Sequence, residues 1–306
     1  MKDYGLLFAK GMAMGAADIV PGVSGGTVAF ITNIYDELLN SIRSVRPSTL
    51  VLLYKEGPAA CWRAINGNFL LVLLAGIVTS LLTLSRLISY QLEHNPILLA
   101  ALFFGLILAS ILYMLRQLGH IGVREVLAIL VGAAAIVLLP EKPFALGTGT
   151  WWVFGAGALA ICAMILPGIS GSFILLMLGV YPIVLGALME FDLELLAVFI
   201  GGCVVGLLSF SHLLGLLLQK ARSITLAVLT GFLLGSLKII WPWKEVLAYR
   251  TDRHGESVPL ISANVSPDQY QAVVGADPQT LLAILCLVFG FSLVFGIDKL
   301  AHRGRI

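Results

Sequence analysis

Apolar stretches free of Lys, Arg, Asp and Glu run along this chain at Ala64–Ser85, His94–Leu115, Val126–Pro140, Pro143–Met189, Leu195–Gln219, Ser223–Leu237 and Pro278–Ile297. A helix needs roughly 20 apolar residues to cross the hydrocarbon of a bilayer. Most of these stretches reach that length with their flanks, and Pro143–Met189 is long enough for a helical hairpin. The pattern predicts spans at 69–90, 97–115 and 124–140 in the first part of the chain, and at 195–218, 223–240 and 279–298 in the second. Polar residues gather in a basic, Pro-containing insertion at about 43–68 and in a long segment at about 244–279.

Of the 306 residues, 59% are hydrophobic and only 12% charged. Soluble domains carry about 25% charge, so lipid is the solvent for most of this surface. Lys10 interrupts the N-terminal apolar stretch, which therefore reads as mature protein and not as a cleaved signal. Cys162, Cys203 and Cys286 fall in apolar stretches and Cys61 in a basic loop. No disulfide framework or metal spacing results. No cofactor, metal or nucleic-acid partner is expected; homo-oligomerisation stays open.

The chain repeats itself. Ile19-Val20-Pro21-Gly22-Val23-Ser24-Gly25 recurs as Ile165-Leu166-Pro167-Gly168-Ile169-Ser170-Gly171, 146 residues on, with Tyr35 and Tyr181 following at the same offset. Leu81–Leu87 matches Leu207–Leu213, and Gly105–Ser110 matches Gly231–Ser236, both at an offset of 126. The insertion at 43–68 accounts for the difference. The predicted fold is an all-α polytopic membrane protein of two repeats, 1–145 and 146–306. Each repeat is a broken or re-entrant helix pair followed by three transmembrane helices. An odd number of crossings per repeat inverts the second relative to the first, as in many secondary transporters. Thirteen Lys and Arg then fall on one side and four on the other, which places both termini in the cytoplasm.

Pro-Gly-x-Ser-Gly breaks a helix, because proline removes a donor and glycine permits unusual dihedrals; the next helix starts with free N–H groups beside a serine. Inside a membrane such a break survives only where protein or a wet cavity covers it. Two breaks in an inverted repeat approach each other near the midplane, and their helix N-termini suit an anion. The alternative for each copy is a kink in a packed helix. The candidate phosphate-binding residues are Gly22, Ser24, Gly25, Gly26 and Thr27 in the first break and Gly168, Ser170, Gly171 and Ser172 in the second. Three bases in or near the apolar stretches complete the set: Arg86, its repeat mate His212, and Lys238. A charge in a span is costly and tends to be kept for use; snorkelling for Arg86, a polar core position for His212 and an interface anchor for Lys238 are the plainer alternatives. Asp18, whose repeat mate is Met164, is the candidate coupling residue for a proton or sodium ion, or an ion-pair partner of Arg86 or Lys10.

The run Gly15–Thr27, with Leu166–Phe173 and with Gly235-Ser236-Leu237-Lys238 before Trp241-Pro242-Trp243, resembles the bacterial and archaeal polyprenyl-phosphate transporter family. The resemblance covers nearly the whole chain. It implies that undecaprenyl phosphate, the lipid carrier of cell-envelope synthesis, is translocated from the outer to the inner leaflet of the cytoplasmic (inner) membrane for reuse. His212 departs from the arginine expected at that position in many members. The residues alone leave open a secondary transporter of a small anion. A membrane lipid phosphatase is weaker: Ser85-Arg86 and His94 echo one of its elements, but the spacing differs and no Pro-Ser-Gly-His occurs.

Overall fold

The structure, a computed structural model, describes residues 3–20, 23–139, 147, 149–251 and 257–303. The first part contains α1 (Tyr4–Ile19), α2 (Gly25–Ile31), α3 (Tyr35–Arg43), α4 (Pro47–Glu56), α5 (Pro58–Ala64), α6 (Gly67–His94), α7 (Pro96–Leu118) and α8 (Val123–Val137). The second contains α9 (Thr150–Ile165), α10 (Gly171–Met177), α11 (Tyr181–Glu190), α12 (Leu193–Lys220), α13 (Arg222–Ile239), β1 (Lys244–Thr251), β2 (Ser257–Asn264), α14 (Pro267–Val274) and α15 (Thr280–Arg303). Among the described residues four helices, α6, α7, α12 and α13, are long and apolar enough to cross a membrane. α10 and α11 together make a fifth candidate, bent by 103°. The chain is a multi-pass membrane protein. α8 ends its helix at Val137, short of the predicted 140, which lies outside the described residues.

Repeated sequence has become repeated geometry. α1 and α9 have 16 residues each, α2 and α10 seven each, α6 and α12 28 each. A single residue joins α6 to α7 and another joins α12 to α13: Asn95 at φ −136°, ψ 49° and Ala221 at φ −142°, ψ 49°. These are repeat mates at the offset of 126.

Glycines set the helix pairs. Gly11 meets the Leu73 carbonyl and Gly76 the Phe8 carbonyl where α1 crosses α6; at matching positions Gly157 meets Phe199 and Gly202 meets Phe154 where α9 crosses α12. At each site a Cβ would strike backbone. Membrane helices associate through such close backbone approach, because lipid offers no hydrophobic drive between them. The remaining long helices exchange partners between the two parts. α7 packs on α15 through Gly105 at the Leu287 carbonyl and Gly290 at the Leu102 carbonyl; α13 packs on α8 through Gly231 at Ile129 and Gly132 at Val228. Gly132 and Gly290 thereby reveal a third offset, 158, which the sequence reading lacked. α7 and α13 are the central helices, carrying Ile107, Met114, Leu229 and Leu233 into the core, whereas α6 and α12 expose long apolar faces.

Both polar segments are more ordered than a loop. The insertion at 43–68 folds into α4 and α5, each opened by a proline at its first turn. The segment at 244–279 adds a small hairpin to an otherwise helical chain, one that the expected all-α fold did not include: β1 and β2 pair antiparallel from Lys244 with Asn264 to Thr251 with Ser257, and α14 follows behind a Ser266–Gln269 capping box. Trp241 and Trp243 pin this segment, their indole N–H groups donating to the Val265 and Pro278 carbonyls, each at 2.8 Å.

If the partner exchange holds the bundle together, Gly105→Val and its mate Gly231→Val should both destabilise it. Overpacking of this kind costs about 1–3 kcal/mol. Thermal unfolding in detergent should show a lowered midpoint for both, while Gly155→Ala, with nothing within 4 Å of its added carbon, should melt as wild type.

Candidate functional site

α1 stops at Ile19, and Val20 turns extended with its N–H still donating to the Ala17 carbonyl at 3.1 Å. Pro21 and the sequence-predicted Gly22 lie outside the described residues. Ser24 then caps α2: its Oγ accepts from Gly26 N at 3.0 Å and donates to the Met164 carbonyl at 2.8 Å. Asp18 Oδ1 accepts from Gly25 N at 2.7 Å. At the far end of α2, Lys10 Nζ donates to the Thr32 carbonyl at 2.7 Å. α1 therefore supplies an acid to the N-terminus of α2 and a base to its C-terminus, the signs that a helix dipole favours. Those two contacts also show that α2 doubles back along α1. Lys10, which the sequence offered as an ion-pair partner of Asp18, sits at the opposite end of α2 from it and donates to the Thr32 carbonyl.

The second break differs in chemistry from the described part of the first. Gly168 sits at φ +87°, where a side chain would be strained, and its N–H donates to Thr27 Oγ1 at 3.0 Å. Ser170 and Ser172 share a hydrogen bond at 2.8 Å, and among the described residues no side chain caps α10. Trp152 Nε1 donates to the Leu178 carbonyl at 3.3 Å, so α10 doubles back along α9. Where the first break has Asp18, the second has Met164, and it contributes its carbonyl to Ser24 instead of a side-chain charge.

The two breaks thus bond directly to one another, through Ser24 to Met164 and Gly168 to Thr27, in a buried seam: Ser24 is 0% exposed, Thr27 2% and Ser170 5%. Gly26 stands against the Ile165 carbonyl, where a Cβ would sit at 2.5 Å. At α2 the donors of Gly25 and Gly26 are taken by Asp18 and Ser24 in this conformation.

The three predicted bases lie apart. Lys238, exposed at the end of α13, lines a cavity of about 440 Å³ with Lys244, Asn264 and Ile136. Phe173 in its wall joins that cavity to the second break. Arg86 is exposed on α6, further along than Ser80, which packs on Gly15 of α1. His212 is half-buried, its Nδ1 donating to the Leu208 carbonyl at 2.7 Å, and lines a different cavity of about 640 Å³ with Arg43, Arg46, Ser48 and Ser209. Sequence reasoning set Arg43 and Arg46 aside as loop bases. The signal was present, since Tyr35, Leu39 and Arg43 recur every four residues along α3 and all three are buried.

A family model described as undecaprenyl phosphate translocase-like matches residues 14–258, a stretch that takes in both breaks and every base named above except Lys10. The chain belongs to that family. The polyprenyl-phosphate transporter of Vibrio cholerae serotype O1 is 49% identical over 302 residues, 98% of each chain. The polyprenyl-phosphate transporter of Staphylococcus aureus is 30% identical over 252 residues, 76% of this chain and 84% of its own. No solved structure matches the chain. Family membership replaces the phosphatase alternative with a transporter.

The seam can be tested through a single donor. Thr27→Val keeps the shape but removes the acceptor of the buried Gly168 N–H, a loss of about 1–3 kcal/mol. Thr27→Ser keeps the hydroxyl. In detergent, the Val variant should unfold at a clearly lower temperature than wild type and the Ser variant close to it.

Proposed function

We propose that this protein carries undecaprenyl phosphate, or a close polyprenyl relative, from the outer to the inner leaflet of the cytoplasmic membrane and so returns the carrier to cell-envelope synthesis. Its kinship over 98% of the chain with a protein named a polyprenyl-phosphate transporter is the observation that carries this reading.

The two repeats are inverted about a pseudo-twofold axis in the membrane plane. Support comes from the exchange of partners, α7 with α15 and α13 with α8, since a twofold operation converts one pair into the other. The doubled-back pairs α1–α2 and α9–α10 are then re-entrant, meeting from opposite sides, and both termini face the cytoplasm. The cavity at Lys238 and Lys244 receives the phosphate at the outer side, with Arg86 drawing the headgroup in from lipid, while the polyprenyl chain stays in the bilayer. From there the phosphate reaches the break residues: Ser24 to Thr27, Gly168, Ser170, Gly171, Ser172 and Gly22. His212 meets it on the inner side.

Asp18 gives this route its coupling. Its carboxylate holds the N-terminus of α2 as an internal anion, and two anions at one helix terminus repel. A proton or sodium ion that neutralises Asp18 frees the Gly25 N–H for the phosphate; departure of the phosphate lets the carboxylate return. A small-anion transporter would need an enclosed polar path, whereas the cavity that holds His212 opens past the exposed Leu216 onto the apolar face of α12.

Proteoliposomes loaded with labelled polyprenyl phosphate test the reading. Wild type should move label between leaflets faster than empty vesicles, and equal rates would refute it. Arg86→Ala should lower the rate by roughly tenfold or more, the effect of about 1.4 kcal/mol, with unchanged thermal unfolding. Asp18→Asn should make the remaining rate indifferent to proton and sodium gradients.

A further inference from the structure

Arg43 ends α3 with its side chain only 9% exposed. The guanidinium lies on Gly215 of α12, so close that a Cβ at 215 would strike Nη1 and Cζ. Its Nε is buried without a hydrogen-bond partner among the described residues. An arginine held this way is normally paired with a carboxylate, because a buried unpaired charge costs several kcal/mol. Here the acids of the same helix are engaged elsewhere: Asp36 Oδ2 lies 3.3 Å from Arg222, and Glu37 accepts from Asn66 at 2.8 Å.

Arg43 instead faces open space. It lines two adjoining cavities, about 640 and 520 Å³, that also share Arg46 and Ser48. Among the described residues no Asp or Glu lines either one. Arg46 is anchored by its Nε on the Arg43 carbonyl at 3.1 Å, which leaves its terminal nitrogens over the cavity. Val45, Leu208, Ser209, His212 and Leu216 form the rest of the larger cavity, so the base that the transport reading places on the inner side faces the same space, and Leu216 continues into the exposed apolar face of α12 with Leu213 and Leu217. Guanidinium forks match the oxygens of phosphate, as they do those of carboxylate, with paired hydrogen bonds, and the apolar exit suits the chain of a lipid. The insertion supplies Arg46, Ser48, Thr49, Leu52 and Ala64, and the repeat mate of Arg43 is the exposed Met189. The second repeat therefore has no counterpart.

We propose that Arg43, Arg46 and Ser48 form a phosphate receptor on the side of the membrane that carries the insertion, where it holds the headgroup of a lipid phosphate whose chain lies along α12. The receptor is distinct from the seam of the two breaks, and its lipid occupant rests on the transport reading above.

The test measures binding to the purified full chain in nanodiscs, with farnesyl phosphate, farnesol and inorganic phosphate as probes. Farnesyl phosphate should bind wild type above the farnesol baseline. Arg46→Gln, on an exposed side chain, and Arg43→Gln should each weaken it by about tenfold or more, with Arg43→Lys between. Thermal unfolding checks that each variant is folded, and Arg46→Gln carries the test if Arg43→Gln is not. Wild-type affinity in the folded variants overturns the receptor while leaving the transport reading intact. Inorganic phosphate binding as tightly as farnesyl phosphate, and lost in the same variants, overturns the lipid occupant and makes this a site for free phosphate. Failure of wild type to bind farnesyl phosphate at all overturns the transport reading together with the receptor's occupant.

Discussion

A helix that stops within hydrocarbon leaves donors and acceptors with no water to take them, and each must find a partner inside the protein. In this chain two helices stop, and much of what they leave open is satisfied by the other. Ser24 takes the carbonyl of Met164, Thr27 takes the N–H of Gly168, and Asp18 and Lys10 hold the two ends of α2. The bundle can tolerate two interrupted helices at its centre because the interruptions face one another. Of these groups, the Ser24 and Thr27 side chains are polar and buried.

Around that seam the long helices are positioned by small residues. Gly11, Gly76, Gly157 and Gly202 draw α1 and α9 onto α6 and α12, the helices that face lipid; Gly105, Gly132, Gly231 and Gly290 bind the central helices across the two repeats. Leucine and valine elsewhere could be exchanged for one another at modest cost, but a side chain at these crossings would push backbones apart. The geometry of the breaks thus depends on contacts well away from them.

Much of this could be read from the residues before any coordinates. Apolar stretches gave the long spans, and the duplicated Pro-Gly-x-Ser-Gly gave two breaks that do meet. Ser24, Thr27, Gly168 and Ser170 were picked out because a break dictates its own local chemistry. Less was legible where tertiary contact decides. The kinship of α8 with α15 survives mainly in the glycines at the crossing, too sparse for a sequence match. The hairpin of β1 and β2 stands in a segment whose polar composition hid its strands. Arg43 looked like a loop base because nothing in its neighbourhood announces that Gly215, far along the chain, leaves room for a guanidinium.

The exchange of partners bears on how the molecule is made. α7 ends at Leu118, yet the surface that seats Gly105 belongs to α15, which begins only at Thr280. During synthesis the first repeat must therefore wait in the membrane with its central helix incompletely packed, and α8 waits likewise for α13. Neither repeat is a folding unit by itself. Assembly of the core is deferred until the end of translation, so a chain shortened before α15 would leave the carbonyl-lined crossing of α7 facing lipid, a lesion that quality-control proteases in the membrane are suited to find.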